Sequence, residues 1–106
     1  MRERDIEAHL VRRVKELGGE VRKVQWVGRA SAPDRVVMLP SLLAKESSRL
    51  LWSAAVWVEL KNPETVKTFP ADARERAQAR EHNRMRAVGQ RVVVLGTIEQ
   101  VEELLS

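Results

Sequence analysis

The chain has 106 residues, a net charge of +4 from 19 basic and 15 acidic side chains, and no cysteine. That length suits one compact domain rather than two, and the missing cysteines exclude a disulfide framework or a thiolate metal site. The charged start Met1-Arg2-Glu3-Arg4-Asp5 lacks the apolar core of a signal peptide. The longest apolar run, Leu50 to Val58, is broken by Ser53 and too short to span a bilayer, so the expectation is a soluble intracellular protein with no membrane partner.

In chain order, Ile6, Leu10, Val14 and Leu17 repeat at helical spacing and predict an amphipathic helix over 2–17, stopped by Gly18-Gly19. Glu20 to Trp26 alternates and predicts a strand. Gly28 to Pro33 reads as a loop and Asp34 to Leu39 as a second strand. Pro40 to Ser53 has no clear period, with hints of a short helix at Leu42-Leu43-Ala44 and Leu50-Leu51. Ala54 to Lys61, dense in valine and tryptophan, predicts a strand buried on both faces. Asn62-Pro63 breaks it, and 62–70 is expected to be a loop. A helix over 71–88 closed by Gly89, a valine strand over 91–95, and a helix opened by the capping box Thr97-Ile98-Glu99-Gln100 complete the chain. The order αβββαβα, with a last strand following a helix, predicts an α/β fold. Its mixed sheet of about four strands is flanked by helices, and the last strand joins in parallel.

Glu59 and Lys61 stand two apart at the end of the Trp57-Val58-Glu59-Leu60-Lys61 run, so on a strand both point to one face. Asp34, after Pro33, opens the preceding strand. Antiparallel pairing of the two runs would set Asp34 beside Glu59 and Lys61. Two carboxylates and an amine meeting at one point suggest a divalent-metal site that activates water. A structural salt bridge between Lys61 and Asp34 is the bland alternative. Glu7 lies on the apolar side of the first helix, either as a further metal ligand or in a salt bridge. Gln78 shares a face with Met85 and would either orient Lys61 or be an amide at the edge of the core. Fourteen of the basic residues are arginine, five of them between Arg74 and Arg86. Arg74, Arg80 and Arg84 are the candidate DNA contacts, since guanidinium suits phosphate. From charge alone a solvated arginine face is an equal alternative. His9 and His82 have no ligand-like spacing, and neither is assigned to catalysis. Of the tryptophans, only Trp26, near the Gly28 loop, is kept open as a base-stacking platform.

The ordered set Glu7, Pro33-Asp34, Glu59-Leu60-Lys61 and Gln78 resembles the PD-(D/E)xK nuclease superfamily, and more narrowly its VRR-NUC family, over nearly the whole chain. Ser31 stands where members often carry glycine. The resemblance implies a restriction-endonuclease-like core and a DNA endonuclease dependent on Mg²⁺ or Mn²⁺. Asp34, Glu59 and the Leu60 carbonyl would hold the metal, Lys61 would position or deprotonate the attacking water, and Glu7 and Gln78 would support the site. It also implies a 5′-phosphate product and, by analogy with stand-alone members, a homodimer acting on branched DNA such as Holliday junctions in the cytoplasm of a bacterium or phage-infected host; a non-catalytic nucleic-acid-binding module, or a nicking or restriction-like nuclease on linear duplex, is the alternative.

Overall fold

The structure is a computed structural model and describes residues 1–40 and 55–106; the hints of a helix between Leu42 and Leu51, and the expected strand start at Ala54, lie outside the described residues. Helix α1 (Glu3–Glu16) begins where the Arg2 backbone N–H donates to Asp5 Oδ2 at 2.8 Å, and it buries the Ile6, Leu10 and Val14 stripe completely. Strands β1 (Glu20–Lys23), β2 (Arg35–Met38) and β3 (Ala55–Leu60) form an antiparallel meander, and β4 (Val92–Leu95) pairs in parallel with β3. The sheet order is β1-β2-β3-β4, the mixed four-stranded arrangement expected. β1 is shorter than its alternating sequence implies. One further backbone bond, from Val24 N–H to the Asp34 carbonyl at 2.9 Å, follows it before the chain leaves the sheet.

Alternation along β3 sorts its side chains. Val56, Val58 and Leu60 join Val37, Leu95, Val101 and the α1 stripe in the apolar core. Glu59 and Lys61, at the alternate positions, are buried as well, because helix α3 (Ala73–Ala87) brings Gln78, His82 and Glu75 against them. Helix α4 (Ile98–Leu105) packs beside α1, where His9 and Arg13 both bond Glu102. His9 is thereby spent on joining these two helices.

One element differs from expectation. Residues 62–70 are not all loop, since Pro63–Thr68 forms helix α2. Proline breaks a strand but suits the first turn of a helix, where its missing N–H is not needed. Asn62 caps that turn, its Oδ1 accepting from the N–H groups of Glu64 and Thr65 at 2.9 Å. Helix α2 lies against the end of β4 at Gly96, where a Cβ would collide with Val66 and with the Asn62 carbonyl. Gly96→Ala is therefore expected to destabilise the protein by about 1–3 kcal/mol and to loosen the Lys61–Asn62 junction. Urea unfolding of the two proteins measures this.

Candidate active site

The antiparallel register puts Arg35 opposite Val58, so Asp34 lies beside the outgoing end of β3. Asp34 Oδ2 accepts from the Leu60 N–H at 2.8 Å. This side chain-to-backbone bond takes over where the ladder ends and fixes the carboxylate against Glu59. The Glu59 side chain is 3% exposed. Burial pushes its carboxyl above the usual range; His82 pulls it down, while the charge of Asp34 pushes it up again. Glu59 Oε1 and His82 Nε2 are both buried without a hydrogen-bond partner, and they face each other at 3.7 Å. The His82 ring is held by Phe69, stacked at 5.9 Å between centroids.

Lys61 Nζ donates to Glu75 Oε2 at 2.8 Å and lies 3.4 Å from Gln78 Oε1, 3.9 Å from Glu59 Oε2 and 5.1 Å from the centre of the Phe69 ring. A carboxylate, an amide oxygen and an aromatic face are the partners of an ammonium. Its close ion pair is with Glu75 rather than with Asp34, the partner considered from the sequence. The hydrogen bond from Lys61, then that from the Ala71 N–H, holds Glu75 below the usual carboxylate range.

Glu7 forms an ion pair with Arg35, whose Nη1 also donates to the Asp34 carbonyl at 2.9 Å. The carboxylate on α1 thus reaches the site through an arginine that grips the Asp34 backbone. One turn earlier, burial and then the neighbouring Asp34 push the Glu3 carboxyl up, while Lys61 and Arg35 oppose this. Glu3 therefore lies in the electrostatic field of the site although the sequence reading passed over it. Its place four residues before Glu7 was the available signal.

The three candidate arginines separate. Arg74 lines a cavity beside Asp34 and Gln78. Arg84 donates to Glu81 Oε1 at 3.0 Å, and Arg80 is exposed. Glu81 also accepts from Arg29 and from Trp26 Nε1, each at 2.8 Å. Burial pushes Glu81 up, but Arg84, Trp26 and Arg29 together outweigh it and hold the carboxyl below its usual range. A depressed carboxylate contributes stability that is full above the unfolded value of about 4.3 and fades as pH falls through the folded value. Glu81→Gln is thus expected to cost about 1–3 kcal/mol near neutral pH. Unfolding curves of the two proteins should converge as the medium is acidified below about pH 4.

Ser31 takes a left-handed backbone with φ +75°. Serine in that conformation is a strained residue. That conformation costs about 1–2 kcal/mol, and glycine returns about 0.4–1 kcal/mol of it through the freer unfolded chain. Ser31→Gly should stabilise by roughly 0.5 kcal/mol, read as a higher denaturant midpoint.

Among the described residues, no group of three or more His, Asp or Glu side chains forms a cation cage. The donors available are the carboxylates of Asp34 and Glu59, with the Leu60 carbonyl between Glu59 and Lys61. All are hard oxygens, and Mg²⁺ characteristically takes one or two carboxylates and fills its shell with water and substrate phosphate. Two adjacent carboxylates, one of them buried with an oxygen lacking any partner, would be relieved by a cation. The residues present fit such an ion.

A mixed four-stranded sheet carrying an acid, an acid and a lysine at the mouth of its central antiparallel pair, under a helix bearing glutamine, defines an α/β protein with a restriction-endonuclease-like core. The comparisons narrow the class. A solved VRR_NUC domain matches with a TM-score of 0.71 and 31% identity, covering 97% of this chain and 92% of that one. The relative named "Putative nuclease p44", from Acyrthosiphon pisum secondary endosymbiont phage 1, is 37% identical over 95 residues, 90% of this chain and 83% of the relative. No family model matches. The chain belongs to the VRR-NUC family of nucleases.

Proposed function

We propose that the protein is a DNA endonuclease that requires Mg²⁺ or Mn²⁺ and acts as a homodimer on branched DNA such as Holliday junctions, in the cytoplasm of a bacterium or phage-infected host. The observation that carries the hydrolytic reading is the buried Glu59 carboxylate, crowded by Asp34 and flanked by Lys61. Asp34, Glu59 and the Leu60 carbonyl would hold the cation. When bound, Mg²⁺ or Mn²⁺ lowers the pKa of water and offsets charge on the scissile phosphate. Lys61 Nζ directs one proton at Glu75 and one towards Gln78, which leaves a third for the attacking water or a non-bridging phosphoryl oxygen. Water oxygen bonds to phosphorus and gives up its proton to solvent as the bond from phosphorus to the 3′ oxygen breaks. That oxygen takes a proton from solvent, leaving a 3′-hydroxyl and a 5′-phosphate. His82 and Phe69 exclude water from the inner side of Glu59 and Lys61.

Selectivity for a branch follows from two such sites in a symmetric pair, each meeting one strand, rather than from reading bases. The test is incubation of the purified protein with a four-way junction, a flap and a plain duplex, in Mg²⁺, Mn²⁺ or EDTA. Cleavage that needs the cation and prefers the branch is expected. Equal cutting in EDTA would overturn the metal requirement. A strict monomer by equilibrium sedimentation under cleavage conditions would overturn the dimer.

A further inference from the structure

A cavity of about 310 Å³ adjoins the site, and Asp34, Gln78, Trp26, Arg29, Ser31 and Arg74 are among the residues that line it. We infer that this cavity is a subsite for one unpaired nucleotide next to the scissile phosphate; the inference rests on the nuclease reading and supplies its substrate class. Size is the first argument. The volume sits at the lower end of the roughly 300–1,000 Å³ of small-molecule sites, room for a single nucleotide and not for a base pair. Chemistry is the second. The wall offers a flat indole, two guanidinium groups and an amide, which suit the face of a base, a phosphate and a base edge respectively.

Preorganisation is the third argument. Glu81 holds Trp26 and Arg29 in place through one carboxylate, and Trp57 supports the Trp26 indole at 5.8 Å between centroids and a 57° tilt. With Arg29 neutralised by Glu81, exposed Arg74 has no hydrogen-bond or ion-pair partner among the described residues. It supplies an unpaired guanidinium at the rim, in the same lining as the Asp34 carboxylate. The small residues Ala30 and Ser31 leave the space unfilled, which a purely structural loop over a helix has no need to do. A nucleotide enters only once its base is out of a pair, so strands that are frayed, flapped or at a junction present themselves at least cost.

The test uses the full chain in EDTA, where cleavage plays no part. A thymidine trinucleotide is titrated while the indole N–H resonances are followed by NMR, the Trp26 signal being the one lost in Trp26→Phe. The Trp26 resonance should move furthest. Arg74→Ala and Ala30→Trp, the latter filling the cavity from an exposed rim position, should each weaken binding by about tenfold. A short blunt duplex should bind no tighter to wild type than to Ala30→Trp. An unmoved Trp26 signal, or equal affinity across the variants, overturns the subsite. Binding as expected by a protein that cuts none of the DNA substrates would overturn the nuclease reading alone.

Discussion

Lys61→Ala is expected to lose about 10²–10³-fold in turnover while its affinity for DNA stays within about threefold of wild type. The side chain is 9% exposed and held by Glu75, Gln78 and the Phe69 face, so it is placed before substrate arrives and requires little rearrangement in the transition state. Phosphate-binding groups elsewhere are untouched by its removal. Affinity for Mn²⁺ should hold or rise, because a positive charge 3.9 Å from Glu59 is gone. Single-turnover cleavage, gel-shift titration in EDTA and calorimetry with Mn²⁺ separate these three quantities. Lys61→Met, which keeps the stem and its packing, controls for a collapsed site. Turnover within tenfold of wild type in both variants would remove Lys61 from the chemistry.

The second large effect concerns Glu59. In EDTA, Glu59→Gln should melt at or above the wild-type temperature, yet cleavage should fall by more than about 10³-fold. Burial and the adjacent Asp34 both disfavour the ionised carboxyl, so the amide of nearly equal shape removes a destabilising charge. A gain on the order of 1 kcal/mol corresponds to roughly 4–8 °C in a domain of this size. A saturating cation, at about a hundred times its Kd, should stabilise the wild type by about 2.7 kcal/mol and leave Glu59→Gln unmoved. Thermal scans with and without Mn²⁺ report both. A variant that is less stable than wild type in EDTA and still stabilised by Mn²⁺ would mean that Glu59 serves packing rather than the ion.

These expectations rest on a centre whose backbone positions were readable from the chain. Period-two alternation and antiparallel pairing are enough to bring Asp34, Glu59 and Lys61 together, and the register carries that out. What lay beyond reach follows from how sequence patterns work. Helix α3 buries Gln78, Glu81, His82 and Met85 at spacings of three, four and seven, yet only one of the four is apolar. Hydrophobic periodicity marks the stripe poorly for that reason, and Glu81 and His82 escape notice. Gln78 was legible from the helix face it shares with Met85 and from the family pattern, and Glu75 was missed although it is the ion-pair partner of Lys61. The α2 helix was hidden by reading Asn62-Pro63 only as the end of a strand, when the same pair also begins a helix. Among the arginines, charge counting could not tell Arg74, at the cavity, from Arg84, spent on Glu81.

The parallel pairing of β3 with β4 also bears on synthesis of the protein. Lys61 hangs its backbone N–H on the Leu95 carbonyl at 2.8 Å, and the lysine's side-chain partners come from α3. A chain that has not yet reached β4 therefore keeps the antiparallel pair that sets the acids beside the lysine but lacks the strand that flanks it on the other side. Contacts so distant in sequence form late. The backbone around the lysine is therefore completed only when β4 docks against β3.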